Sequence, residues 1–280
     1  MCAAASVIKM MTTECGVLGV TSVDDELFTL LHRDVYQLAI YSIDDYQLVR
    51  HLNVPGIKSL SGLNGIASSV QHKSVYMPDD HNSCIRRYDL RSTFIAAMKR
   101  IVGSPVSKWP VRCRPYGLSV TPSSNLLLTC QGEPSRLVEL RADSGRRVRE
   151  MALQADIVYP WHSVQLTTGQ FVVCHGYSSM GLHRVCVVGD DGKVTRSYGG
   201  RNGSDIGQLD CPCHLAVDED SQFIFVADYG NHRIVLLTPT MEFVRYISER
   251  LLGPYRLHFH QATRRLFVGQ FGGGITVIRL

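Results

Sequence analysis

Gly199-Gly200-Arg201-Asn202-Gly203-Ser204-Asp205-Ile206-Gly207-Gln208-Leu209 leads into Pro212-Cys213-His214-Leu215-Ala216-Val217-Asp218. Phe223-Ile224-Phe225-Val226-Ala227-Asp228 follows, and then Tyr229-Gly230-Asn231-His232-Arg233-Ile234. The stretch holds three short apolar runs and a fourth over residues 243–247, each stopped by glycine, proline, asparagine or aspartate. That pattern reads as four strands joined by tight turns. A four-stranded meander of about 45 residues cannot bury both of its faces alone, so copies of it must pack on one another.

Copies are present. Aligning the chain on the residue two places after the proline of Pro212-Cys213-His214 gives the series Gly19, Gly65, Gly117, His162, His214 and Arg256. Their spacings are 46, 52, 45, 52 and 42 residues. Six repeats of this length predict an all-β, six-bladed β-propeller with four-stranded antiparallel blades, read as one domain over residues 1–280. The turn Asp79-Asp80-His81-Asn82-Ser83-Cys84-Ile85 copies Asp228 to Ile234 position for position, with Cys84 in the place of the arginine. The outer strand of the second blade is expected near residues 94–101. The last blade supplies three strands only, and residues 6–11 are positioned to pair with it as the fourth. This closure removes an exposed sheet edge and joins the chain ends.

The Gly-rich lead, the Gln208-Leu209-x-x-Pro212 step and the turn Val226-Ala227-Asp228-x-x-Asn231-x-Arg233-Ile234 together resemble an NHL repeat, one blade of an NHL-type propeller. As a repeat architecture the resemblance covers residues 14–280. It implies a recognition module like the C-terminal domain of TRIM-NHL proteins, which selects RNA or protein targets. In those proteins a zinc-binding RING supplies ubiquitin ligase activity, and this sequence contains neither RING nor B-box.

Bulk properties fit a folded globular chain. Of 280 residues, 45% are hydrophobic and 19% charged, and no apolar run approaches the 18 or more residues of a membrane helix. The first residues lack the basic and apolar regions of a secretory signal, so a cytoplasmic, membrane-independent and monomeric domain is expected. A net charge of +4 attracts phosphates or an acidic partner only if concentrated on one face. Most of the nine cysteines lie in apolar runs and read as reduced, packed thiols. Cys211-Pro212-Cys213 lacks the second Cys/His pair of a structural zinc site, so neither metal nor other cofactor is expected.

The start of each first strand and the turn between the second and third strands fall at the same end of a propeller. The aligned ring therefore places three glycines on one half of the axis and His162, His214 and Arg256 on the other. Tyr116, Trp161 and Tyr255 stand one residue earlier, with Arg114, Tyr177 and Tyr229 in nearby loops. Arg136 and Arg184 occupy the turn position of Arg233 in blades that lack the aspartate, which frees them to face a ligand. Aromatic planes interleaved with arginine and histidine suit stacking on single-stranded RNA or gripping a peptide. The competing structural reading packs the aromatics between blades and bonds the two imidazoles to neighbouring backbone. Asp228, Asn231 and Arg233 read as a structural turn, and of His258 and His260 only one is expected to face the axis. No nucleophile elbow, phosphate loop or zinc-protease helix is present. The alternative function is a metal-dependent propeller lyase or hydrolase in which His162, His214 and His258 converge on a central ion.

Overall fold

The computed structural model describes residues 5–32, 36–54, 65–90, 107–176, 182–248 and 251–280. Its first strand, β1 (Ser6–Met11), and the strands that follow form six four-stranded antiparallel sheets arranged in a ring. Blade 1 comprises β2 (Val17–Val23), β3 (Glu26–His32), β4 (Tyr36–Ser42) and β5 (Leu48–Asn53). Blade 2 has β6 (Ala67–Ser69), β7 (Ser74–Asp79), β8 (Cys84–Asp89) and β9 (Ser107–Pro110). Blade 3 is formed by β10 (Arg114–Val120), β11 (Leu126–Gln131), β12 (Arg136–Leu140) and β13 (Arg147–Ala152). Blade 4 contains β14 (Pro160–Gln165), β15 (Phe171–His175), β16 (Arg184–Val188) and β17 (Val194–Gly199). Blade 5 follows with β18 (Pro212–Val217), β19 (Ile224–Asp228), β20 (Arg233–Leu237) and β21 (Phe243–Ser248). Blade 6 ends the chain with β22 (Pro254–His260), β23 (Arg265–Gln270) and β24 (Ile275–Arg279).

The six-bladed ring and its closure are as the repeat spacing predicts. β1 pairs antiparallel with β24, from Ser6 opposite Arg279 to Met11 opposite Ile275, and completes blade 6. One expectation fails. Residues 94–101 lie outside the described residues, and the outer strand of blade 2 is β9, where Trp109 packs against Tyr76.

Each seam between neighbouring blades holds its own apolar cluster. Between blades 4 and 5, Val172, Val185 and Val187 meet Leu215, Val226 and Val235; between blades 6 and 1, Phe267 and Val277 meet Val17, Leu27 and Ala39. Period-two alternation explains this, because successive residues of a middle strand face opposite neighbours. Val185 and Val187 serve the seam with blade 5, whereas Cys186 and Val188 serve that with blade 3. Burying an aliphatic side chain of this kind contributes about 1.5–3 kcal/mol.

The two matched turns are buried polar knots. Asp228 accepts from Asn231 and from Arg233, each at 2.8 Å, and is fully buried. In blade 2, Asp79 accepts from Asn82, and Arg86 takes the role of the missing arginine, its Nε 2.7 Å from the carboxylate. Arg86 lies two residues beyond Cys84 on the same strand and therefore on the same face. Cys113 and Cys130 form a disulfide with a Cα–Cα distance of 5.9 Å. Reading the cysteines as reduced thiols did not anticipate it. The bond joins the lead into β10 to its partner β11, a juxtaposition fixed by strand register.

Candidate functional site

Five innermost strands share a bulge at the axial ring. The register slips between Val17 and Gly19, Pro115 and Gly117, Pro160 and His162, Pro212 and His214, and Pro254 and Arg256. An inserted residue re-aims the side chains on either side of it. As a result Tyr116, Trp161 and Tyr255, which are the inserted residues of blades 3, 4 and 6, remain partly exposed, while His162 and Arg256 are buried.

His162, His214 and Arg256 come together, as expected, but as bridges across the blade seams. The imidazole rings of His162 and His214 stack with centroids 3.7 Å apart. His162 Nε2 lies 3.1 Å from the carbonyl of Leu118 in blade 3, and the Leu257 amide of blade 6 donates to His214 Nδ1 at 3.3 Å. Arg256 donates through Nε to the carbonyl of Leu18 in blade 1, at 2.8 Å. Burial drives the pKa of His162 down to about 3 and that of His214 well below its ordinary value, with Arg256 pushing both in the same direction. Both are neutral in neutral solution. The structural reading of the two histidines accounts for these contacts.

These imidazoles also mark the inner end of an axial channel of about 700 Å³, whose lining continues to the turns at Asp24, Gln71, Thr167 and Glu219 at the opposite end of the propeller. Tyr116, Trp161, Tyr255 and Arg256 are not part of that lining. Both His258 and His260 face the channel, contrary to expectation, because residues two apart on a strand share a face. His258 Nε2 is bonded to Ser22 Oγ at 2.7 Å, and burial lowers its pKa to about 3.

Above the ring, the end that carries the lead-in prolines has an aromatic rim. Trp161 meets Tyr116 edge to face at 5.1 Å and donates Nε1–H to the Gly176 carbonyl. Tyr255 contacts Tyr229 at 5.8 Å and Phe271 at 5.3 Å, and the Arg256 guanidinium lies 3.9 Å over the Tyr255 ring. Phe271 is 53% and Leu252 66% exposed. Burial raises the Tyr116 phenol pKa, the neighbouring Tyr255 adds to the rise, and Arg256 opposes it.

The arginines read as ligand-facing are held by protein groups. Arg114 is paired with Asp80 and Arg136 with Glu150, while Arg184 bonds both Asp156 and His175. The freedom inferred for Arg136 and Arg184 from their missing turn aspartate is absent, since carboxylates elsewhere in sequence replace it. Tyr177 lies outside the described residues. Phe271 and Leu252 escaped the sequence reading, although an aromatic followed by Gly272-Gly273-Gly274 in a turn is itself a signal of exposure.

Among the described residues, His162, His214 and His258 do not bring three ligand nitrogens within metal-binding range of one another. Among the described residues, a cluster with three metal-ligating side chains arises elsewhere, from His183, Asp210 and Cys211, whose ligand atoms lie within 4.8 Å of one another.

Neither a protein-family profile nor a curated protein matches the sequence. Solved structures similar to the chain include hydrazine synthase from Kuenenia stuttgartiensis, at 12% identity and a TM-score of 0.65, covering 96% of this chain and 97% of that one. Virginiamycin B lyase from Staphylococcus aureus is similar at 11% identity and a TM-score of 0.63, with 99% of each chain covered. The β-propeller domain of Cps50 (Swd1) from Myceliophteria thermophila shows 11% identity and a TM-score of 0.65, again over 99% of each chain. At these identities the likeness establishes the propeller fold alone.

Proposed function

We propose that the chain is an NHL-type recognition propeller whose aromatic rim, at the end carrying the lead-in prolines, binds a protein segment in extended form. The observation that carries this reading is the contrast within the rim. Its aromatic surface runs from Trp161 and Tyr116 to Tyr255, Tyr229 and Phe271, whereas Arg114 and Arg184 are each paired with a carboxylate and Arg136 shares Glu150 with Arg147. A strand of phosphates needs uncompensated cations. A peptide needs rigid aromatic anchors with accessible apolar neighbours, which Phe271 and Leu252 supply. Two repeats of the Asp-Asn-Arg knot support the NHL assignment. Target selection within a larger ligase is the role this surface would serve.

Peptides selected by display on the purified chain provide the test. Trp161→Ala and Tyr255→Ala should each weaken binding by about 30-fold, the size of a loss at an aromatic hot spot, with little change between low and high salt. Unchanged affinity in both variants would remove the rim from the account. Binding of a single-stranded oligoribonucleotide that falls steeply with salt would replace the peptide with RNA.

A further inference from the structure

We propose that His183, Asp210 and Cys211 bind a divalent, zinc-like metal ion at the seam between blades 4 and 5. His183 stands immediately before β16, and Asp210 and Cys211 form the last step before β18. Their ligand atoms already lie within 4.8 Å of one another. Tetrahedral zinc, with bonds of about 2.0–2.3 Å, sets its ligands about 3.5 Å apart, so a small inward shift suffices.

The hydrogen bonding of His183 sets its Nδ1 between two groups of opposite demand. Its Nδ1 is 2.9 Å from the backbone N–H of Cys211 and 3.2 Å from Asp210 Oδ1. If Nδ1 carries a proton, it opposes the Cys211 N–H; if it does not, its lone pair opposes the carboxylate. No tautomer satisfies both neighbours. The side chain is fully buried, and its Nε2 has no hydrogen-bond partner. A metal ion takes the ring lone pair and the carboxylate together and relieves their mutual repulsion, while the Cys211 N–H gives up its bond to Nδ1.

Surrounding groups fit. Asn202 Nδ2 lies 3.2 Å from Asp210 Oδ1 and orients the carboxylate, as outer partners of metal ligands do. Imidazole, thiolate and carboxylate form a donor set suited to zinc. Cys213, the other half of the Cys-Pro-Cys step, is excluded, because its sulfur is buried against the Pro254 and Tyr255 carbonyls. The site would also bear on the rim: the Asp210 amide donates to Asp228 and its carbonyl accepts from Gly230, so the ion would tie blade 4 to the turn that carries Tyr229.

The test is titration of the chelator-treated full chain with Co²⁺, followed by displacement with Zn²⁺. One equivalent of Co²⁺ should give the visible bands of a tetrahedral site and a near-ultraviolet thiolate-to-cobalt band, and Zn²⁺ should abolish both and raise Tm. Cys211→Ser should lose the thiolate band and at least about tenfold in Zn²⁺ affinity, and Asp210→Asn should lose affinity to a similar degree. Cys213→Ser should retain the parent spectrum. The far-ultraviolet circular dichroism of each variant verifies folding, and the buried His183 is left intact for that reason. Absence of a thiolate band in the parent, or a Cys211→Ser spectrum equal to the parent's, would overturn the site.

Discussion

The two halves of the axial ring solve the same packing problem by opposite means. In blades 1 and 3 the chain closes directly on its neighbours, whereas at Gly65 of blade 2 an added Cβ would have only Arg256 Nε, 4.0 Å away, and a φ of +136° favours glycine. A Cβ added to Gly117 would lie 2.5 Å from the Trp161 carbonyl oxygen and 2.9 Å from the His162 Cα, and one added to Gly19 would meet the Ile66 side chain at 2.5 Å. On the side of blades 4 to 6, His162, His214 and Arg256 span the gap and bond to a neighbouring blade's main chain, His162 to the preceding blade and the other two to the following one. The asymmetry therefore belongs to ring closure. What is left for a partner is the rim above it, where the bulges display Tyr116, Trp161 and Tyr255.

The largest effect that would break this comparison is at Arg256. Replacement by alanine removes the donor to Leu18 across the seam between blades 6 and 1 and leaves a buried carbonyl unpaired, so unfolding in urea should show a loss of about 2–4 kcal/mol. Arg256→Lys should recover only part of it, since an ammonium cannot reproduce the planar fork. A loss below about 0.5 kcal/mol, the range of an ordinary surface change, would mean that the guanidinium does not hold the ring. On the glycine side, Gly117→Ala should cost about 1–3 kcal/mol through overpacking. Gly19→Ala should cost less, since its closest contact is the Ile66 side chain, which can shift. Equal costs at both positions would show that the Ile66 side chain cannot shift and constrains Gly19 as tightly as main chain constrains Gly117.

Much of this architecture is legible in the sequence because it is periodic. Pro212-Cys213-His214 fixes an alignment that finds every blade, and Ser6 to Met11 is recognisable as the missing strand by its position before blade 1. The Asp228 turn is legible too, since its three members, Asp228, Asn231 and Arg233, lie within six residues. Contacts that join distant positions leave no such signature. Glu150 pairs with Arg136 only because β12 and β13 are adjacent, and Arg86 serves Asp79 through the two-residue face repeat of a strand. His183 and Asp210 are 27 residues apart and meet only when blades 4 and 5 pack. Sequence reading thus identifies the ring residues but not whether their nitrogens are already engaged.

The protonation of the ring is the most direct test of that engagement. Folded His162 resists the proton that the unfolded chain accepts below about pH 6.5, so stability is complete above that pH and declines as pH falls toward about 3, by up to about 1.4 kcal/mol per pH unit for each such group. His162→Gln should flatten this decline. Proton NMR of the imidazole resonances between about pH 8 and 5 follows the groups themselves, using the ordinary histidine pKa of about 6.5 as reference. The account predicts that His162 and His214 do not move over this range. A titration of either with a midpoint near the ordinary value would place them in solvent and contradict the sealed ring.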